Sequence, residues 1–303
     1  MSNIILIFIY LLLGVVLQRI KWFPSNSYKL LNKIVIYICL PSLALYYIPK
    51  IHWNNELLYL ISVTWIGFAI SFFLFRFLGK KYGWSKKLIG CLIITAGLGN
   101  TSFLGFPIVN ALYGSEGLKM AILVDQPGTF VVLSTIAVFV AMLYSKEATS
   151  GGKIIKKVML FPPFITFLVA CLANVMDLDF HDYFQIALLK VGSLLTPLAM
   201  ISVGLQLHFD SRSQHWKFLW IGLAYKLIIT PAIIFLLYVV IMKQNSLMIK
   251  VAITEAAMAP MIMASILATS HGLKPRLSSM MIGFGIPISF LSLIFWYFVL
   301  QHI

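Results

Sequence analysis

The sequence predicts an all-α polytopic membrane protein whose ten transmembrane helices form two inverted five-helix repeats. Of its 303 residues, 61% are hydrophobic and only 11% are charged, whereas soluble domains have about 25% charged residues. Apolar runs of about 20 residues, the length that crosses ~30 Å of hydrocarbon, recur along the whole chain. The two halves of the chain also contain similar segments in the same order, which indicates an internal repeat.

The apolar runs give the ten predicted spans. The first of them is short, but no basic segment precedes it and no small-residue cleavage site follows it. We therefore interpret it as a membrane helix and not as a cleaved signal peptide. The runs cover residues 4–17, 30–48, 57–78, 88–112, 118–144, 158–176, 184–207, 218–242, 247–269 and 277–300.

The basic residues predict the orientation of these spans. With ten spans, 17 Lys and Arg fall on one side of the membrane and 5 on the other, while Lys226 lies within a span. Lys and Arg concentrate in cytoplasmic loops, so we expect both termini to lie outside the cytoplasm of a cell membrane, inner or plasma. The net charge of +14 is then explained by topology, and we expect no nucleic-acid partner.

The chain divides at its most polar stretch, SKEATSGGK (145–153). We predict a first five-helix repeat over 1–145, a cytoplasmic linker over 146–153 and a second repeat over 154–303. Because each repeat has an odd number of spans, the second is inverted relative to the first. Inverted repeats are typical of secondary transporters, which bind their substrate near the midplane. The similar segments are LNKIVIYICLPSLAL (31–45) and LLKVGSLLTPLAM (188–200), WIGFA (65–69) and WIGLA (220–224), and ILVDQPG (122–128) and IGFGIPI (282–288).

Helix-breaking residues lie at the centres of the fourth and ninth spans. The fourth contains GLGN (97–100), and the ninth contains Pro260, which has no N–H to donate. Irregular backbone at this depth is tolerated where it is buried in protein or lines a cavity. A break divides a helix into two halves. The N-terminus of the second half favours anions, and the carbonyls at the end of the first half, which lose their helical donors, favour cations. The alternative is that these residues only permit a kink or close packing. Predicted substrate-binding residues are Gly99, Asn100, Thr101, Ser102, Ala259 and Pro260.

Two segments around these breaks carry a family resemblance. GLGNTSFLGFPIVNALYGSEGL (97–118) resembles the fourth-helix signature of the auxin efflux carrier family, which includes plant auxin exporters and bacterial malate and malonate permeases. EAAMAPMIMASILA (255–268) resembles its ninth-helix counterpart. The resemblance implies the fold of bile-acid sodium symporters, in which broken helices 4 and 9 cross at mid-membrane. Helices 1, 2, 6 and 7 would form a scaffold, and helices 3–5 and 8–10 a transport domain.

The sequence also departs from the plant members of that family. In those exporters a proline precedes the asparagine, whereas Gly99 stands at this position here. The long cytoplasmic loop of many plant members is absent between the two halves of this chain. This difference favours a short permease of the prokaryotic type.

Three ionisable residues fall well inside spans, where a charge is costly and is usually functional or paired. Glu255 resembles the sodium-binding glutamate in the ninth helix of bile-acid symporters, and it could bind Na⁺ or exchange H⁺. Its alternative role is an ion pair with Lys226. Lys226 could attract a substrate carboxylate or neutralise a carboxylate of the protein. Asp125 is either a second coupling carboxylate or a polar contact at a helix end.

These residues and the resemblance predict a secondary active transporter of small organic anions, that is mono- or dicarboxylates such as malate, malonate or auxin-like acids. We expect elevator-type alternating access linked to H⁺ or Na⁺, with no cofactor other than the coupling ion and no metal site other than Na⁺ at Glu255. The expected partners are the anion, the lipid bilayer and, as an open alternative, a second copy in a homodimer. No HExxH motif, paired catalytic aspartates or serine–histidine arrangement occurs in the spans, so we expect no enzyme. The rival hypothesis is a ligand-binding membrane sensor on a transporter-like fold, without net flux.

Overall fold

Helices make up almost all of the structure, a computed structural model that describes residues 2–20, 22–24, 26–52, 54–145, 162–178, 180–207 and 215–303. The one extended pairing within these residues is an isolated bridge between Gly99 and Pro260. The all-α prediction is therefore confirmed for the described part of the chain. The predicted linker over 146–153 lies outside it.

The helices are numbered in chain order. They are α1 (Ser2–Arg19), α2 (Ser27–Lys50), α3 (Leu57–Lys81), α4 (Lys86–Gly97), α5 (101–113), α6 (115–144), α7 (Pro162–Val175), α8 (Asp182–Gln206), α9 (Trp216–Ile241), α10 (Leu247–Ala256), α11 (Ile262–Ser270) and α12 (Pro275–Gln301).

Six helical segments of the described chain are long and apolar enough to cross a membrane. They are Ser27–Lys50, Leu57–Lys81, Thr101–Tyr144, Asp182–Gln206, Trp216–Ile241 and Pro275–Gln301. The prediction of a polytopic membrane protein therefore agrees with the structure at this level. The number of ten spans and their inverted arrangement stay predictions.

The segment Thr101–Tyr144 is divided at Gly114, which separates α5 from α6. Gly114 has φ +69° and ψ −162°, a backbone conformation that glycine alone adopts readily. A Cβ at this position would meet no atom within 4 Å. The glycine is therefore required by the backbone and not by a lack of space.

The described residues cluster in two compact units, which are described separately. In the first unit, α1 and α8 approach each other closely through two glycines. A Cβ on Gly14 would collide with the backbone carbonyl of Ile201, and one on Gly204 with that of Leu11. Taken over their described residues, the ranges of this unit are Met1–Asn55, Ser102–Ile122 and Lys156–Leu207.

The second unit has α4 at its centre. All residues of α4 from Leu88 to Gly97 are buried, and a helix that is apolar on every side belongs in a core. Some buried polar groups of this unit are paired, as when the Tyr225 hydroxyl donates to the carbonyl of Gly67 at 2.6 Å. The ranges of this unit, again over their described residues, are Glu56–Thr101, Leu123–Ile155 and His208–Ile303. Both helix breaks discussed below lie within it.

Candidate functional site

The two predicted helix breaks are present, and their backbones pair with each other. α4 ends at Gly97 and α10 ends at Ala256. Beyond these ends, the N–H of Asn100 donates to the carbonyl of Ala259 at 2.8 Å. The N–H of Met261 donates to the carbonyl of Leu98 at 3.0 Å. This antiparallel pairing provides partners for backbone groups that the interruption of a buried helix would otherwise leave without one.

Pro260 explains why α10 ends where it does. In a continuous helix the residue at 260 would donate its N–H to the carbonyl of Ala256, four residues earlier, but proline has no N–H. The carbonyl of Ala256 accepts a hydrogen bond from Nζ of Lys226 instead, at 2.9 Å. Lys226 comes from α9 and is 3% exposed. Its ammonium therefore lies at the C-terminal, negative end of a helix, where a cation is favoured.

Gly99 leaves the space that this ammonium occupies. A Cβ at residue 99 would lie 2.8 Å from Nζ of Lys226 and 3.1 Å from its Cε. Both distances are shorter than an ordinary van der Waals contact. Proline also carries a Cβ, so this crowding gives a physical reason for the glycine found where the plant exporters have proline.

Asp125 lies inside α6, at the start of a π-helical turn that covers Asp125–Phe130. It is 3% exposed. The Thr101 hydroxyl donates to its Oδ1 at 2.6 Å, and Nε2 of Gln126 donates to its Oδ2 at 2.8 Å. The helix continues on both sides of Asp125. The hydrogen bond from Thr101 connects this carboxyl to the first helix break.

Glu255 is the most completely buried of the three ionisable residues, at 1% exposed. Neither oxygen of its carboxyl has a hydrogen-bond partner among the described residues. The charges of Asp125 and Lys226 both act on it, but within the described chain it forms no direct ion pair with Lys226, whose ammonium bonds to Ala256. The two carboxyls and one ammonium would carry a formal charge of −1 if all were ionised. A buried net charge is costly unless it is neutralised.

The side chain of Asn100 presents a buried hydrogen-bond donor. The side chain is 1% exposed, and its Nδ2 has no partner among the described residues. Its own backbone is fixed by the pairing with Ala259. α11 begins at Ile262, directly after this pairing, and the first N–H groups of a helix have no intrahelical acceptor. Such N–H groups, together with the amide of Asn100, suit an anionic ligand.

The structure brings most of the predicted site residues into the second unit. These are Gly99, Asn100, Thr101, Asp125, Lys226, Glu255, Ala259 and Pro260. Ser102 is the exception, because it clusters with the first unit, where it is buried in the π-helical turn Thr101–Gly105 that begins α5.

One participant was not predicted from the sequence. Gln126 orients the carboxyl of Asp125 and is itself buried, with no partner for its Oε1 in the described chain. The signal was a second polar residue beside Asp125 in an apolar run. The role of the Ala256 carbonyl, in contrast, follows from Pro260 four residues later, because proline has no N–H to donate to it.

Comparison with known proteins shows the family of the chain. The profile of a family described as membrane transport protein matches residues 1–297. The chain belongs to this family. It is the auxin efflux carrier family that the motifs around both breaks predicted, so that prediction is confirmed.

Two relatives of the chain are uncharacterized transporters from archaea. One, from Methanocaldococcus jannaschii, is 27% identical over 312 residues, which cover 100% of this chain and 99% of the relative. The other, from Methanothermobacter thermautotrophicus, is 26% identical over 302 residues, which cover 99% of this chain and 98% of the relative. The protein is thus a member of a family of membrane transporters.

Proposed function

We propose that this member of the membrane transport family is a secondary active transporter of small organic anions, with mono- and dicarboxylates as the substrate class. The observation that carries the proposal is the pairing of two interrupted helices beside two buried carboxyls and one buried ammonium. A protein that needed only to span a bilayer would gain nothing from this arrangement, since buried charges and broken helices are both costly.

The anion would bind at the donors beside the crossing. The unused Nδ2 of Asn100 and the N–H groups at the start of α11 are hydrogen-bond donors. The dipole of α11 adds positive partial charge at the same end. A carboxylate has acceptor oxygens only, so it matches a site composed of donors.

The coupling ion would act through Glu255. Its carboxyl has no hydrogen-bond partner in the described chain, so it can take up H⁺ or contribute an oxygen ligand to Na⁺. Binding of either cation would remove the net charge of −1 and lower the cost of moving the site through the membrane. We propose elevator-type alternating access in a cell membrane, with both termini outside the cytoplasm. The elevator movement is supported by the position of all site residues except Ser102 in one compact unit, which could move as a whole.

Transport by purified protein in liposomes tests the proposal. Radiolabelled malonate, malate and indole-3-acetate would be offered under an imposed pH gradient and, separately, under a Na⁺ gradient. We expect saturable accumulation of at least one of them, which a protonophore or a sodium ionophore abolishes. Binding of a carboxylate without any accumulation would support the rival sensor hypothesis and overturn the proposal.

Glu255→Gln tests the coupling step within the same assay. The amide keeps the shape of the carboxyl but cannot change its charge, so we expect substrate exchange to persist and gradient-driven accumulation to be lost. Glu116→Gln is the matched control, because the Glu116 side chain is 66% exposed and forms a surface ion pair with Lys119. Accumulation by Glu255→Gln at the wild-type level would refute the role of this carboxyl.

A further inference from the structure

Lys226 has a position that the transport of an anion does not by itself explain. Its ammonium is buried and donates to the carbonyl of Ala256 rather than to an exposed carboxylate. Gly99 has no side chain that would obstruct it. The ammonium therefore occupies a space bounded by both helix breaks, within one compact unit.

The surroundings of this ammonium include oxygen groups of the kind that bind monovalent cations. The carbonyl that Pro260 frees is an oxygen ligand at the negative end of α10. The carboxyl of Glu255, which belongs to the neighbouring residue, acts electrostatically on the ammonium. Carbonyl and carboxylate oxygens are the ligands that hard cations prefer. Lys226 differs from a free cation in being covalently attached.

The covalent attachment of Lys226 changes the number of mobile cations that the site needs. Asp125 and Glu255 are two buried carboxyls, and neutralising both requires two positive charges. Lys226 supplies one of them from a covalently attached ammonium, so one mobile cation suffices for the other. Without Lys226, the same pocket would require two mobile cations.

We propose that Lys226 is a tethered cation that takes the place of one coupling ion at the crossing of the two broken helices, and so limits the transporter to a single mobile cation in each cycle. The inference rests on the proposed function for its meaning in transport. Its structural part, that removal of the ammonium vacates a cation site, is independent of whether a carboxylate is moved.

Sodium binding by purified full-length protein tests that part. Thermal unfolding would be followed during titration with NaCl, with choline chloride keeping the ionic strength constant. Lys226→Met removes the ammonium and retains most of the apolar stem. We expect this variant to show an additional saturable Na⁺ stabilisation that the wild type lacks, because the vacated site binds Na⁺ in the folded state only. At a Na⁺ concentration ten times the dissociation constant, the ratio of folded to unfolded protein rises about 11-fold.

Lys217→Met is the matched control, since Lys217 lies on the same helix but is exposed. It should respond to Na⁺ as the wild type does. An equal response to Na⁺ in the wild type, Lys226→Met and Lys217→Met would overturn the proposal. An additional Na⁺ stabilisation of the same size in both variants would also overturn the proposal.

A double variant covers the case in which Lys226→Met does not fold. Glu255→Gln combined with Lys226→Met removes one negative charge together with the positive one. We expect this protein to fold and to show no additional Na⁺ response. Failure of the double variant to fold, or an additional Na⁺ response that persists in it, would contradict the proposal. Failure of the proposed function would be seen separately, as absence of carboxylate accumulation in liposomes.

Discussion

Replacement of Gly99 by alanine is the smallest change that should disturb the crossing of the broken helices. The new Cβ would lie 2.8 Å from Nζ of Lys226, so the ammonium must retreat by about 0.6 Å to reach the 3.4 Å of an ordinary contact. The lysine stem is flexible enough to allow this movement. A retreat of that size, however, lengthens the 2.9 Å hydrogen bond to the carbonyl of Ala256.

The expected cost follows from the loss of that hydrogen bond. A hydrogen bond to a charged group contributes about 1.5–3 kcal/mol, so Gly99→Ala should lower the free energy of unfolding by a similar amount. The measurement is unfolding of the purified protein in mixed micelles, titrated with a denaturing detergent. In a Lys226→Ala background the collision no longer exists, so the cost of Gly99→Ala should be smaller, and the difference between the two backgrounds is the coupling energy of the pair.

Gly285→Ala is a control in which the added Cβ is equally crowded but contacts Pro260 and not Lys226. Its Cβ would lie 2.8 Å from Cδ of Pro260 and 3.0 Å from Cδ2 of Leu223, and neither atom is charged. Overpacking of this kind costs about 1–3 kcal/mol, and this cost should be the same with or without Lys226. An equal cost of Gly99→Ala in both backgrounds would refute the assignment of Gly99 to the ammonium.

Four further predictions test other parts of the structure. Asn100→Ala should weaken carboxylate binding about tenfold, the effect of ~1.4 kcal/mol, at an unchanged melting temperature; unchanged affinity would remove Asn100 from the site. Gly114→Ala should cost ~1–3 kcal/mol of unfolding free energy through backbone strain alone, and a neutral result would contradict its φ of +69°. Burial and the charges of Lys274 and Arg276 lower the pKa of His215 below its usual 6.5, so the unfolded chain binds this proton at higher pH than the folded protein. The free energy of unfolding should therefore fall as the pH drops below 6.5, and it should fall less in His215→Gln. Equal pH profiles of the melting temperature in the wild type and this variant would disprove the prediction. A reporter that is active only in the cytoplasm should be inactive when it is fused after Ile303. Activity of this reporter would show that the predicted orientation of the termini is wrong.

The positions of the helix breaks could be predicted because their causes are local. Pro260 removes a backbone donor whatever surrounds it, and the Gly-rich segment before Asn100 weakens the helix in the same way. Both causes also lie at the centres of their predicted spans, the fourth and the ninth. The structure adds the hydrogen bonds between residues 98–100 and 259–261, which no local pattern contains.

The contacts of the ionisable residues could not be predicted, because they depend on tertiary geometry. The sequence left open whether Glu255 pairs with Lys226, and the structure shows that the ammonium bonds to a carbonyl one residue further along. The π-helical turns at Asp125–Phe130 and Tyr225–Ile229 were also not predicted. Each turn includes an ionisable residue, and π-helical turns are frequent at functional sites because they change the direction of a side chain.

One backbone defect accounts for several residues of the site that look unrelated in the sequence. Pro260 deprives the carbonyl of Ala256 of its donor, and the long side chain of Lys226 supplies a replacement. The ammonium then requires a residue without a side chain at position 99, and the charge of Lys226 acts on Glu255. A substitution at any of these positions therefore changes the environment of the others. For this reason their effects should be measured as cycles of single and double variants, in which the coupling itself is the quantity obtained.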